Sequence, residues 1–159
     1  MIFEKGDLVK GDYPIFCHQV NCKGVMGAGI AKQIKIAYPE VFQKYLDHCH
    51  WQRYPLGTIL PVETKDRRLC FNMFAQDGFG SGQVYTNYGA FRYCLNDIRE
   101  YLKLHKDKVL QLYGNKICFP YNIGCGNAGG DWRIVLKLIK EFEQQVCDLY
   151  NVKIIQLDK

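Results

Sequence analysis

The sequence lacks the long apolar runs and charge blocks that would assign it to a membrane or to nucleic acid by composition. No apolar run approaches the roughly 20 residues of a transmembrane helix, so we expect no membrane association. The opening MIFEKGD is too short and too charged for a secretory signal peptide. The 21 lysines and arginines are scattered and the formal net charge is only +5. Such a field favours an anionic small molecule and leaves nucleic-acid binding possible but not indicated.

The sequence also lacks paired cysteine motifs, although it contains 8 cysteines. None forms a C-x-x-C pair, and most lie in apolar runs such as RLCFNMF and KICFPY. This is typical of free, buried thiols in a reducing compartment, so we expect a cytoplasmic protein. The segment DHCH (47–50), together with Cys17 and Cys22, matches no common zinc spacing. We therefore predict neither a metal site nor a cofactor.

Apolar strands and amphipathic helices alternate along the chain, without an internal repeat, a linker or a low-complexity tract. The length of 159 residues suits one domain, which we assign to residues 1–159. Continuous apolar strands between helices predict an α/β fold whose sheet is covered on both faces. Strands are predicted at 14–21, 56–63, 68–75, 116–121 and 152–158. Helices are predicted at 27–37, from Pro39 onward and from Trp132 onward. A further helix is predicted from the apolar stripe Phe91, Cys94, Leu95, Ile98 and Leu102.

Two glycine-rich loops follow apolar strands and lead into helices. They are contained in VNCKGVMGAGIAKQI (20–34) and in NIGCGNAGG (122–130). Ligands of α/β sheets bind at the carboxyl ends of the strands, so the loops can converge on one crevice. Glycine lets a ligand approach the unpaired N–H groups of a helix start, which favours phosphate. Two such loops would suit a diphosphate or a sugar phosphate, although spacing alone also allows each loop to be a simple tight turn.

The common nucleotide motifs do not fit the first loop. A Walker A motif would need Lys and Ser or Thr where Ile30 and Ala31 stand. The dinucleotide fingerprint would need a third glycine where Lys32 stands. Spacing by itself therefore names no ligand.

At these residues the sequence resembles the macro domain family. The resemblance is carried by GDL (6–8), HQVNCKGVMGAGIAKQIKIAYP (18–39) and IGCGNAGGDW (123–132), and it extends from about Gly6 to Leu157. The most similar branch contains terminal ADP-ribose glycohydrolases, DarTG-type antitoxins and ADP-ribose-1''-phosphate phosphatases. The resemblance implies a three-layer α/β/α sandwich with a mixed central sheet, and ADP-ribose or an ADP-ribosylated substrate as the partner.

The resemblance also implies the residues that contact the ligand. Asp7 would accept a hydrogen bond from the adenine amino group, beside the Leu8 backbone, and Asn21 would face the distal ribose. The glycine loops would wrap the distal ribose and the diphosphate. The implied ligand-binding set is Asp7, Leu8, Asn21, Met26, Gly27, Ala28, Gly29, Ile123, Gly124, Cys125, Gly126 and Asn127.

The catalytic residues are less clearly defined by the resemblance. Terminal glycohydrolases of this branch are associated with a lysine nucleophile and an aspartate partner, but the matching positions hold Phe74 to Gln76 and Ala128. His18 matches a histidine of the phosphatases and could act as general acid or base, or could be a hydrogen-bonded core residue.

Other polar residues near the loops have two possible roles. Asn21, Gln76 and Asp77 are the remaining catalytic candidates. The segment from Gln76 to Asn87 has the composition either of a mobile lid, with Phe79 over the sugar, or of a solvent loop. We expect Asp131 to cap the last helix.

Two functions follow from these observations. One is hydrolysis of an ADP-ribose conjugate, which could be ADP-ribosyl-protein or ADP-ribosyl-nucleic acid, O-acetyl-ADP-ribose or ADP-ribose-1''-phosphate. The alternative is a non-catalytic module that binds ADP-ribose, which the missing lysine and aspartate favour.

Overall fold

The computed structural model of the chain describes residues 2–157, which form six strands and five helices. In residues 2–157, no helix combines the length and the apolar character needed to cross a membrane. The elements in chain order are β1 (Ile2–Lys5), β2 (Ile15–Val20), α1 (Gly29–Ala37), α2 (Pro39–Trp51), β3 (Ile59–Glu63), β4 (Leu69–Phe74), α3 (Tyr88–Leu104), α4 (Lys106–Tyr113), β5 (Lys116–Pro120), α5 (Trp132–Val146) and β6 (Asn151–Gln156).

The six strands form one mixed sheet in the order β1-β6-β5-β2-β4-β3. Neighbouring strands from β1 to β4 run parallel, while β3 pairs with β4 in the antiparallel direction. The carboxyl ends of β1, β6, β5, β2 and β4 therefore meet at one edge of the sheet. This edge is where the loops predicted to bind a ligand emerge.

Helices cover both faces of the sheet, as the apolar strands predicted. Every residue of β2 and β4 is buried. Because side chains alternate along a strand, Ile15 packs toward α3, α4 and α5, while Phe16 packs toward α1 and α2. The predicted stripe of α3 is buried at all five positions. The three-layer α/β/α sandwich is thus confirmed.

Two elements were not predicted from the sequence. Strand β1 is four residues long and includes two charges, so its pattern is weak, but it pairs in parallel with β6. Helix α4 buries only Val109 and Tyr113 along its eight residues. Both elements depend on partners that are distant in sequence.

Several predicted boundaries shift for identifiable reasons. Helix α1 begins at Gly29 rather than Gly27, because Ala28 is extended, with φ −148° and ψ 162°. The strand predicted from residue 56 begins at Ile59, because Gly57 turns the chain with a φ of +85°. The last strand spans Asn151–Gln156, and Asp158, the end of its predicted range, lies outside the described residues.

A buried arginine supports the loop after β1. Arg68 is only 7% exposed, and its guanidinium donates to the carbonyl oxygens of Leu8 (2.7 Å), Val9 (2.8 Å) and Tyr13 (3.0 Å). It also lies 4.0 Å from the centre of the Phe16 ring. One cation from the β3–β4 turn thereby holds the chain segment that follows Asp7.

We expect Arg68→Met to lower the free energy of unfolding by about 3 kcal/mol, because three buried carbonyl groups lose their donor. Urea denaturation would measure the change. Arg53→Met, at an exposed arginine, should alter stability by less than about 0.5 kcal/mol. Equal effects of the two substitutions would contradict a supporting role for Arg68.

Candidate functional site

A cavity of about 860 Å³ lies at the carboxyl edge of the sheet. This volume is within the usual range of small-molecule sites. Five segments each contribute some residues to the border of the cavity. They are residues 6–9 after β1, the first glycine loop (21–28) with the start of α1, residues 76–80 after β4, the second glycine loop (122–130) and residues 155–157 at the end of β6. The two glycine loops therefore converge on one crevice, as their positions after apolar strands predicted.

Asn21 organises the first glycine loop from within. Its side chain is almost buried and donates through Nδ2 to the carbonyl oxygen of Val25 at 2.7 Å. Its Oδ1 accepts from the Lys23 amide at 2.9 Å and from the Tyr45 hydroxyl at 2.8 Å. One of the two Nδ2 hydrogens is used in this way, and Asn21 also borders the cavity. It can thus hold the loop and still present a donor to a ligand.

Met26 fixes the same loop from behind. It is 1% exposed and packs with Val20, Tyr45 and Phe74. It does not border the cavity. The residues that follow it, 27–29, are exposed and do border the cavity. The methionine therefore anchors the loop, while the small residues after it form the wall.

The start of α1 presents unpaired amide groups to the cavity. Ala28 at the N-cap supplies no side-chain hydrogen bond, and the first turn holds no acidic residue. Within residues 2–157, the N–H groups of Gly29, Ile30 and Ala31 find no acceptor. Helix starts of this kind carry partial positive charge and attract anions.

The second glycine loop presents a further set of amide groups. It turns at Asn122 (φ +62°) and Gly124 (φ +74°), and the Cys125 amide donates to the Asn122 carbonyl oxygen at 2.8 Å. Among the described residues, no acceptor meets the N–H groups of Gly124, Gly126 and Asn127. Cys125 itself does not border the cavity, and its Sγ lies 3.4 Å from the carbonyl oxygen of Ile123.

Asp7 lies after β1, at the opposite end of the cavity from the segment that follows β4. Its Oδ1 accepts from the amides of Val9 and Lys10, both at 3.0 Å. Leu8 borders the cavity beside it. Asp7 is the one side chain of the Asp, Glu, His, Lys and Arg types among the described residues that border the cavity, and Tyr121 also borders it. A carboxylate that acts on a bound ligand from the described cavity wall would therefore be that of Asp7.

The segment after β4 separates the two remaining catalytic candidates. Gln76 borders the cavity, as does Phe79, which is 52% exposed. Asp77 does not border it. The Asp77 carboxylate instead faces solvent, 3.4 Å from the ammonium of Lys23. Asp77 therefore lies outside the cavity, whereas Phe79 borders it.

His18 lies in the core rather than at the cavity. It is fully buried on the α1–α2 side of the sheet, and its Nε2 lies 2.5 Å from Asn72 Oδ1. Burial lowers the pKa of His18 from 6.5 to about 4. The imidazole is thus neutral at neutral pH and separated from the cavity, which matches the core alternative for this residue.

We expect the buried His18 to make the fold sensitive to acid. Its folded pKa, about 4, lies below the ordinary value of 6.5. As pH falls, the unfolded chain therefore takes up the proton first. The stability is fully present above about pH 6.5 and falls by up to about 3 kcal/mol as pH approaches 4.

Urea denaturation at about pH 7.5 and about pH 4.5 would measure this loss. His18→Gln should reduce the difference between the two conditions. His48→Gln, at a partly exposed histidine, should reduce it less. An unchanged pH dependence in His18→Gln would contradict the assignment.

The cysteines form neither disulfides nor part of a metal-binding group in the described part of the chain. All 8 cysteines are free, and Cys17, Cys70, Cys94 and Cys118 are buried, as the apolar contexts predicted. Between residues 2 and 157, no three His, Cys, Asp or Glu side chains are grouped as a metal would require. Asp131 caps α5 through the Arg133 amide at 2.9 Å, as expected.

Sequence reasoning missed part of the cavity wall. Residues 155–157 belong to it only because β6 lies between β1 and β5. Gln19 borders the cavity and is 8% exposed. A side-chain amide near the end of the mostly apolar strand before the first glycine loop was a signal that could have identified it.

The fold and the placement of the loops define an α/β sandwich with an anion-attracting cavity at the carboxyl edge of its sheet. The family model for the macro domain matches residues 17–139. The chain therefore belongs to the macro domain family.

Known proteins of this family resemble the chain over different spans. It is 28% identical over 142 residues to a DNA ADP-ribosyl glycohydrolase of Thermus aquaticus, covering 87% of this chain and 36% of that protein. It is 40% identical over 62 residues to a DNA ADP-ribosyl glycohydrolase of Mycobacterium tuberculosis, covering 39% of this chain and 18% of that protein. The chain thus matches only a minor part of the length of these relatives.

A solved structure agrees with the whole described fold. The macrodomain of Mycobacterium tuberculosis DarG superposes with a TM-score of 0.79 at 25% identity, covering 99% of both chains.

Proposed function

We propose that the chain binds ADP-ribose in the cavity, with the diphosphate between the two glycine loops. The observation that carries the proposal is the convergence of two sets of unpaired backbone N–H groups on one cavity, one set from residues 29–31 and one from residues 124, 126 and 127. Such groups bind phosphate oxygens without a cationic side chain. The names of the relatives, which are ADP-ribosyl glycohydrolases, support the nucleotide sugar as the ligand.

The two ends of the cavity differ in the way that this ligand requires. At one end, the second oxygen of the Asp7 carboxylate can accept from an adenine amino group, and Leu8 and Ile155 supply apolar walls. At the other end, Asn21 and Gln76 offer neutral amides to ribose hydroxyl groups. We therefore orient the adenine toward the end of β1 and the distal ribose toward the end of β4.

We further propose that the chain hydrolyses a bond between the distal ribose and an attached group. Its similarity to glycohydrolases supports this step. The amides of Asn21 and Gln76 would orient the attacking water, because positioning alone contributes substantially to such reactions. The exposed Phe79 would cover the distal ribose and limit access of bulk water.

Calorimetric titration with ADP-ribose tests the binding proposal, with AMP and ribose-5-phosphate as partial ligands. We expect the complete ligand to bind most tightly. A Cβ on Gly126 would meet open space at the cavity wall, so Gly126→Leu should leave the fold intact and weaken binding at least about 20-fold by filling the site.

Gly89→Leu is the matched control, because Gly89 is an exposed residue of α3 away from the cavity wall. It should bind as the parent protein does. Retained affinity in Gly126→Leu, with an unchanged melting temperature in both variants, would place the ligand elsewhere.

Turnover of ADP-ribose conjugates tests the second proposal. Protein-linked, nucleic-acid-linked and acetyl conjugates and ADP-ribose-1''-phosphate would be incubated with the protein, and release of ADP-ribose would be measured. We expect release from at least one of them, and a loss of at least about 10-fold in kcat for Gln76→Leu. Tight binding of ADP-ribose without any release would instead identify the chain as a binding module.

A further inference from the structure

We infer that Gln19 is a positioning residue that couples the second glycine loop to the segment 76–80 across the cavity. The part of the inference that concerns ADP-ribose rests on the proposed function. The coupling itself is a property of the hydrogen bonds and close contacts around Gln19, which exist without any ligand.

One buried amide joins the three chain segments at this point. Gln19 is the penultimate residue of β2 and donates through Nε2 both to Gln76 Oε1 at 2.8 Å and to Thr86 Oγ1 at 2.9 Å. The Thr86 hydroxyl in turn donates to the carbonyl oxygen of Gly124 at 2.5 Å. Donors and acceptors therefore follow one direction, from Gln19 through Thr86 to the second glycine loop.

Close contacts and a backbone hydrogen bond connect the second glycine loop to Gln19 and to residues 83–86. A Cβ on Gly124 would lie 2.7 Å from Gln19 Oε1, and a Cβ on Gly129 would lie 2.6 Å from the Gln83 carbonyl oxygen. The Tyr85 amide also donates to the Ala128 carbonyl oxygen at 2.7 Å. A shift of Gly124 must therefore displace Thr86 or Gln19.

The other end of the connection reaches the segment that carries Phe79. Gln76 forms an isolated bridge with Thr86, and its Nε2 donates to the Gly78 carbonyl oxygen at 2.8 Å. Phe79 follows directly and borders the cavity. The orientation of the Gln76 side chain thus sets the start of this segment.

The orientation of the Gln19 amide is fixed by these partners. Its Oε1 is buried and meets no donor among the described residues. Flipping the amide would place Gln19 Oε1 against Gln76 Oε1, which is also an acceptor. Gln19 Oε1 therefore stays unpaired in the observed orientation. Since an unpaired buried acceptor is unfavourable, the arrangement indicates that both Nε2 bonds are needed together.

The coupling would connect the part of the cavity that binds the diphosphate to the part that holds the distal ribose. A diphosphate bound by the N–H groups of residues 124, 126 and 127 would restrain Gly124. Through Thr86, Gln19 and Gln76, the same restraint would reach Phe79 beside the distal ribose. Contacts at the phosphates and at the distal ribose would then strengthen each other.

Amide hydrogen exchange tests the coupling, first without ligand. Thr86→Val removes the hydroxyl link on the side of the second glycine loop, and we expect faster exchange in 76–80 as well as in 122–130. Gln19→Glu keeps the shape of the side chain but removes the donor, so it should behave like Gln19→Leu. Gln111→Leu, at an exposed glutamine of α4, is the control and should leave both segments unchanged.

Titration separates this inference from the proposed function. We expect Gln19→Glu and Gln19→Leu to weaken ADP-ribose about 10-fold while AMP changes less than about twofold, because AMP does not reach the distal half. ADP-ribose should protect both segments in the parent protein, but only 122–130 in these variants.

Three results would overturn the coupling. They are unchanged exchange of 76–80 in Thr86→Val, normal exchange in Gln19→Glu, and equal weakening of AMP and ADP-ribose. Failure of the parent protein to bind ADP-ribose would instead refute the proposed function, and the exchange of the free variants would still decide the coupling.

Discussion

The main physical constraint on the cavity is that it is lined by backbone N–H groups that have no acceptor among the described residues. A helix cannot pair its first amides internally, and α1 has no side chain at its N-cap to pair them. The parallel strands bring this helix start to the same edge as the loop after β5. The positive ends of peptide dipoles therefore face one cavity from two sides, and the proposed diphosphate would supply acceptors for them.

Several side chains support the segments that border the cavity from inside the protein. Asn21 ties together the first glycine loop, Met26 anchors it, and Arg68 holds the segment after Asp7. Gln19 does the same for the second loop through Thr86. Near the unpaired amides, at residues 27–29, 124, 126 and 127, the wall consists mostly of small residues, which would let a ligand approach those amides closely.

The absence of cationic side chains from the described cavity wall also bears on the chemistry. Recognition of phosphate would depend on directional donors at fixed positions, which distinguish ligands by shape more than by charge. With Asp7 at the far end from Gln76, the distal end is neutral and hydrogen-bonding. Such a site favours binding and orientation of water over proton transfer by a side chain.

Local sequence was sufficient for the covered sheet, for most of its elements and for the convergence of the glycine loops. Apolar runs select buried strands, and glycines after such runs select loops that permit unusual backbone angles. Ten of the twelve residues implied as ligand contacts border the cavity, while Met26 and Cys125 do not. In a loop, neighbouring side chains diverge, and a motif match does not say which of them faces the ligand.

The tertiary structure decided the burial and the position of residues whose neighbours are distant in sequence. It buried His18 beside Asn72 and lowered its pKa, and it left Asp77 in solvent beside Lys23. It also placed the end of β6 next to β1, so that residues 155–157 complete the cavity. The sequence by itself determined which segments are strands and which loops can expose amides, because those properties arise from local backbone and apolar patterns. The tertiary structure decided which polar side chains reach the cavity, because burial and hydrogen bonding depend on residues that meet only in the folded chain.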